Sequence, residues 1–294
     1  MKQKFTFLIL ACLFAFGMTA QATLVTSNAD DGSGTLRQLI SAAPTDGIIE
    51  IPEGMIITLA SEIAFDKGLT IRGLGDGATV KVTSPGTSRW QIFNIGTSTA
   101  GNYNVVLENM NLIGGKQPTA SASNGGVVYV TTANDGNVYF TMRNCKISKG
   151  QGNAGGGVML NNVTGIKQAI IENCDFFDNA VLSNSSGGGL YIRAAYSEVT
   201  NCTFRNNTSP AGVAIGLNNG GETVISNCIF EGNIGKGPAK SAACISNANA
   251  ALSVSNCVFV NNTNNDLTDA TLGATAYSQA SNITANFTNC TFYN

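Results

Sequence analysis

The sequence predicts an all-β protein: a single-stranded parallel β-helix with a short helix capping its N-terminal end. Three observations carry that prediction. A unit of 26 to 35 residues repeats along the chain, each unit alternates apolar and polar residues rich in Val, Ile, Thr and Phe, and Asn or Gly stands at the breaks. Such a unit suits one three-strand coil of a solenoid, in which equivalent residues of successive coils stack about 4.8 Å apart.

The first 22 residues read as an export signal. Lys2 and Lys4 make a basic start, Phe5 to Phe16 an apolar run, and Ala20-Gln21-Ala22 a small-x-small cleavage site. The alternative is a lipoprotein signal with Cys12 as the lipidated residue, although the apolar run continues beyond it. Residues 23–47 form the cap: Leu36, Leu39, Ile40 and Ala43 fall at helical spacing and would cover the open first coil. Without that lid the coil would offer unpaired strand edges to solvent. Ile48 to Leu59, Leu69 to Ile71, Val80 to Val82 and Gln91 to Ile95 then read as strands of irregular early coils. Regular repeats begin near Tyr103, and the β-helix occupies 48–294. The chain stops one residue before another Phe-x-x-Asn completes, which marks the helix as incomplete at its C-terminus.

The repeat is defined by one polar register and two apolar ones. Asn109, Asn144, Asn173, Asn201, Asn227, Asn256 and Asn289 head the units, followed by Met110 and then Cys145, Cys174, Cys202, Cys228, Cys257 and Cys290. Two positions before each Asn, and three after it, the residue is apolar in all seven copies. The later register ends in Phe176, Phe204, Phe230, Phe259 and Phe292, a run of rings that would fill the core. Side-chain amides of the leading Asn register are expected to bond from coil to coil and to tie down the bends.

Composition removes whole classes of function. Histidine is absent, so Ser-His-Asp, Cys-His and His-ligated metal mechanisms are excluded. Charged residues are 12% of the chain, and the export signal takes two lysines with it, leaving a mildly acidic protein without a basic stripe for nucleic acid. No apolar run beyond the N-terminus is long enough to span a membrane.

The pairing of Phe-x-x-Asn (from Phe176, Phe204, Phe230 and Phe259) with Gly-Gly-x-Val/Leu (from Gly125, Gly155 and Gly187) resembles the repeat of polymorphic outer-membrane proteins and related bacterial surface β-helix proteins. The opening Val25 to Ile40 resembles the cap of exported right-handed β-helix proteins with a pectin-lyase-like fold. Together the resemblance covers nearly all of the chain after the signal. It implies the fold closely and the function loosely, since such proteins include adhesins, passenger domains and polysaccharide-degrading enzymes. This sequence departs from them in showing no C-terminal barrel or sorting domain.

Six cysteines share one register, with parallel Cβ vectors that place neighbouring Cβ atoms beyond the preferred disulfide range. They read as small buried hydrophobes rather than disulfides or metal ligands, and Cys244 has no evident partner. Gly73-x-Gly75-x-Gly77 leads into a strand rather than a helix, so it reads as a turn, not a phosphate loop. Asp30-Asp31-Gly32 reads as a turn into the cap rather than a calcium site.

Charges gather in two places. Glu108, Arg143 and Glu172 stack in consecutive coils, and Lys146 faces Asp175; alternating signs on neighbouring strands read as a solvated salt ladder. Asp175, Asp178, Arg205 and Glu231, with Lys146 and Lys149, lie on one exposed stretch. Pectate lyases use carboxylates to hold calcium and a basic side chain to abstract a proton. Under that alternative Arg205 would be the base and Asp175 and Asp178 the calcium ligands. A polygalacturonase is excluded with its Gly-His-Gly motif. The leading expectation is a non-enzymatic secreted or cell-surface protein that offers an Asn/Ser/Thr-rich face, with exposed Tyr or Trp90, to a glycan or host-surface ligand. It needs no cofactor. The alternatives are an acidic-polysaccharide lyase or hydrolase, and a structural fragment of a longer passenger.

Overall fold

A computed structural model of the chain describes residues 21–83, 91–96, 101–115, 125–132, 136–182, 185–236, 244–264, 277–279 and 285–293. Most of the export signal and Trp90 lie outside them. Among the described residues the strands gather into four parallel sheets of ten, nine, eight and five strands. Each regular strand pairs with its counterparts one coil away, as Asn137–Arg143 lies between Asn102–Glu108 and Ile166–Glu172. The architecture is the parallel β-helix that the repeat predicts. Three strands per coil were expected; the later coils add a fourth, of two residues, such as Gln151–Gly152 and Thr208–Ser209.

The helix Leu36–Ala42 stands where the apolar spacing puts it, with Leu36 and Ile40 buried and the Thr35 hydroxyl oxygen accepting from the Gln38 N–H at 3.3 Å. Its preceding strand, Thr23–Leu24, pairs with Ile49 and Glu50 and so joins the ten-stranded sheet. The expected strand Ile48 to Leu59 is two, Gly47–Ile51 and Ile56–Leu59. Between them Pro52 lacks an N–H for the ladder and Gly54 turns the chain at φ +68°. Ile63–Phe65 is a further early strand that the pattern does not reveal. Gly73 to Gly77 is a turn between strands, closed by the Gly77 N–H donating to the Leu74 carbonyl at 2.9 Å.

Both apolar registers are spatial lines. Leu107, Met142, Ile171, Val199, Ile225, Val254 and Phe287 stack on the ten-stranded sheet. Leu112, Ile147, Phe176, Phe204, Phe230, Phe259 and Phe292 stack on the nine-stranded sheet. From Phe176 to Phe259 successive ring centroids are 4.8, 5.2 and 4.5 Å apart and within 7° of parallel. Strictly repeated parallel strands impose this face-to-face stacking, although isolated aromatic pairs favour offset or edge contacts. Across the core the Gly-rich register makes room for the rings. A Cβ on Gly189 would stand 3.0 Å from both the Ala214 carbonyl oxygen of the next coil and Phe204 Cδ1, and 3.3 Å from Phe176 Cβ.

In the leading Asn register Asn109 bonds as expected, its Nδ2 donating to the Gly73 and Gly75 carbonyls of the preceding coil at 3.0 and 2.9 Å, while the later members serve through their backbone. Each of these residues, from Asn109 to Asn289, holds a left-handed backbone, φ +51° to +55°, at the corner between the ten- and nine-stranded sheets. Asn is the non-glycine residue that adopts this conformation most readily. From Asn144 onward the side chains are exposed. The amide ladder lies six residues later instead. There Asn179 Nδ2 donates to Asn207 Oδ1 at 3.1 Å, Asn207 to Asn233 at 3.0 Å and Asn233 to Asn262 at 2.9 Å, all buried. Each oxygen also accepts the backbone N–H of the preceding rung, and each Nδ2 reaches a core carbonyl, as Asn207 does to Phe176 at 2.9 Å.

Candidate functional site

The charged constellation on the nine-stranded sheet is built by strand register. Asp175 opens the strand Asp175–Phe177 beside Lys146, and Arg205 closes Thr203–Arg205 between Phe177 and Glu231. Asp175 and Arg205 are therefore diagonal neighbours, within reach of a long side chain. Arg205 donates from Nε to Asp175 Oδ1 at 3.1 Å and from Nη2 to Oδ2 at 2.7 Å, a bidentate pair. Its guanidinium lies 4.4 Å from the Phe177 ring centroid. The hydrogen bond to Asp175, with added charge from Asp178 and Glu231, raises the Arg205 pKa above its already high value. A guanidinium held in this way keeps its proton, which opposes work as a base.

Asp178 stands apart from Asp175. With Lys149, Asn206, Gly232 and Asn261 it occupies a second left-handed corner, where its φ is +55° and its side chain is exposed. Asp175 spends both oxygens on Arg205. Among the described residues no three Cys, Asp or Glu side chains converge at metal-binding distance.

The salt ladder is longer than the repeat indicates. Glu50, Arg72, Glu108, Arg143 and Glu172 fall in one line across five strands of the ten-stranded sheet. Arg72 meets Glu50 at 2.6 Å and Arg143 meets Glu108 at 3.1 Å. Beyond Glu172 the line continues as hydroxyls, Thr200, Ser226, Ser255 and Thr288. The exposed corner asparagines run immediately alongside it. Outer faces of the later coils therefore carry paired columns of hydroxyl and amide groups at the coil spacing.

Among the described residues no thiol forms a disulfide. Cys145, Cys174, Cys202, Cys228 and Cys257 are buried and Cys290 is half-buried. Sγ of Cys174, Cys202, Cys228 and Cys257 approaches the carbonyl two residues back at 3.2 Å. Cys244 lies in the Gly-rich column, one coil beyond Ala214, and its burial pushes the thiol pKa well up.

Where the eight-stranded sheet turns into the ten-stranded sheet, a hollow of about 540 Å³ opens between two coils. Thr132, Asn137, Asn162, Thr164, Gly165 and Lys167 line it. Nothing in the repeat points there, because the hollow forms where the corner connections change length from coil to coil.

No curated protein matches the chain. Among solved structures it is similar to "Structure of PL6 family alginate lyase AlyGC", with a TM-score of 0.53 and 12% identity, over 92% of this chain and 39% of that one. It also aligns with "Geobacillus virus E2 - ORF18" at a TM-score of 0.36 and 12% identity, over 92% of this chain and 60% of that one. The chain thus spans well under half the length of the lyase, and at that identity the likeness is one of fold. The right-handed β-helix region family matches residues 125–294, more than half of the chain, and this protein belongs to that family.

Proposed function

We propose that the protein is a non-enzymatic, exported β-helix that binds glycan chains along its outer faces, at the cell surface or after secretion. One observation carries the reading: the constellation best placed to act as base and metal site is closed on itself. Arg205 is engaged by both oxygens of Asp175 and rests on Phe177, and Asp178 points from a separate corner. Around it the coils present hydroxyl and amide columns. Their rise of about 4.8 Å is on the scale of one pyranose ring, so a chain lying along the axis meets the same donors and acceptors at each sugar.

The test is to incubate purified protein with acidic and neutral polysaccharides in the presence of calcium. Absorbance at 235 nm and reducing ends would be followed while retention on a glycan array is recorded. Retention without product is expected. Unsaturated product that disappears in Arg205→Ala would overturn the reading in favour of a lyase.

A further inference from the structure

We infer that the corner hollow beside Lys167 is a subsite for a sugar ring carrying an oxyanion, held by the Lys167 ammonium. This rests on the glycan-binding reading above and adds a place on the fold and a charge for the ligand.

The hollow lies where the corner connection changes length from coil to coil, from residues 131–136 in the coil before to Asn162–Gly165 here. In the following coil the chain passes from Arg193 to Tyr196 through Ala194 and Ala195 alone, whereas here Asn162 to Gly165 separate the strands ending at Asn161 and starting at Ile166. The pairing then slips. Val138 faces Ile166 but Tyr139 faces Gln168, so Lys167 is the extra residue of a β-bulge. A bulge re-aims a side chain out of the alternating pattern, and here the side chain lines the hollow.

This loop is fixed both within itself and to the neighbouring coil. Asn162 Nδ2 donates to Thr132 Oγ1 at 2.6 Å, and its Oδ1 accepts from the Thr164 and Gly165 N–H groups at 3.1 and 3.0 Å. The Asn162 carbonyl takes the Ile166 N–H at 2.8 Å. A wall held in this way is formed before a ligand arrives, and its hollow falls within the about 300–1,000 Å³ of small-ligand sites.

Lys167 is the one charged side chain among the described residues that line the hollow. Its Nζ donates to the Thr164 carbonyl at 2.6 Å, and it belongs to none of the ion pairs among the described residues. Two of the three ammonium hydrogens remain for a ligand. This contrasts with Arg37, Arg72, Arg143 and Arg205, each matched to a carboxylate. The Thr164 hydroxyl and the Asn137 amide oxygen can accept from ring hydroxyls. Tyr139, two residues beyond Asn137 on the same outward face, is 44% exposed and offers a flat platform beside the opening. Ammonium, acceptors and aromatic face together suit a pyranose bearing a carboxylate or a sulfate ester.

The experiment is calorimetric titration of the purified protein with trigalacturonate, its methyl ester, and a sulfated galactose trisaccharide. Charged ligand should bind, with the ester about tenfold weaker. Lys167→Gln should weaken the charged ligand about tenfold and leave the ester unchanged, while Lys167→Arg keeps most of the affinity. Lys236→Gln, which removes the same charge elsewhere, should have no effect. Preference for sulfate over carboxylate would identify the source of the oxyanion. If charged glycans bind and Lys167→Gln binds them as well as the parent does, the subsite is wrong and the glycan reading stands. If no glycan binds the folded parent, both fall.

Discussion

Asn201 and Asn207 are six residues apart in one coil, and their side chains meet opposite media. Asn201 is exposed and serves through its backbone, at φ +53°. Asn207 is fully buried and serves through its amide, which bonds Asn179, Asn233, the Asn179 N–H and the Phe176 carbonyl. The two should answer substitution differently. Asn207→Ala strands several buried partners and is expected to cost about 2–4 kcal/mol, whereas Asn201→Gly, which keeps the left-handed backbone accessible, should stay within about 0.5 kcal/mol. Urea unfolding of both variants checks this, and equal midpoints would remove the distinction. Asn201→Val should in turn cost more than about 1 kcal/mol, because a β-branched side chain resists that backbone. The two Asn registers look alike in sequence, which is why the ladder was expected at the wrong one. The separating signal is local. The residue before each buried amide is Asp178, Asn206, Gly232 or Asn261, types that suit an exposed left-handed corner, so the amide after it returns to the core.

At the scale of one coil, the Phe strand and the Gly-rich strand act as complementary halves of a core layer. Rings stacked about 5 Å apart leave no slack along the axis, so space must come from across the core, where Gly157, Gly189 and Ala214 follow one another. Phe204→Ala should cost about 3–5 kcal/mol, and Gly189→Ala about 1–3 kcal/mol by overpacking. Since the added methyl would stand 3.0 Å from Phe204 Cδ1, the effects should couple. Gly189→Ala in a Phe204→Leu background should cost at least about 1 kcal/mol less than in the parent, read from a double-mutant cycle of unfolding free energies. Strict additivity would show that the ring and the glycine do not share space. This packing was half legible. The Phe register and the Gly-Gly-x-Val/Leu motif are both visible in the sequence, but their opposition across the core appears only when the coil closes.

Over the whole molecule, parallel in-register stacking turns a sequence register into a line in space, so the apolar lines of the later coils can be read from spacing alone, whereas spacing does not tell the buried Asn register from the exposed one. The same logic fails where a coil departs from the repeat: at Pro52 to Met55, which splits a strand, and at Lys167, whose bulge defeats alternation and hides the hollow. It also cannot show that Arg205 reaches diagonally to Asp175 rather than outward. Three of the buried thiols, Cys174, Cys228 and Cys244, set a property of the whole molecule, because they ionise freely only when the coils separate. The thiol bond with Cys202, and then burial, push Cys228 up to about 12, and burial raises Cys174 and Cys244. Unfolded thiols titrate near about 8.5. Between these values the unfolded chain has lost protons that the folded chain keeps, so stability is full below about pH 8.5 and falls as pH rises toward 12. The melting temperature should hold from pH 6 to 8 and drop by at least about 5 °C by pH 10.5. Cys244→Ala should reduce that slope with little cost at pH 7, since Ala214 already fills the same column one coil earlier. Over the same range a thiol reagent should label the buried cysteines only as fast as the protein opens. Rapid labelling at pH 7 of any cysteine other than the half-buried Cys290, or a melting temperature indifferent to alkali, would mean that the ladder is open to solvent.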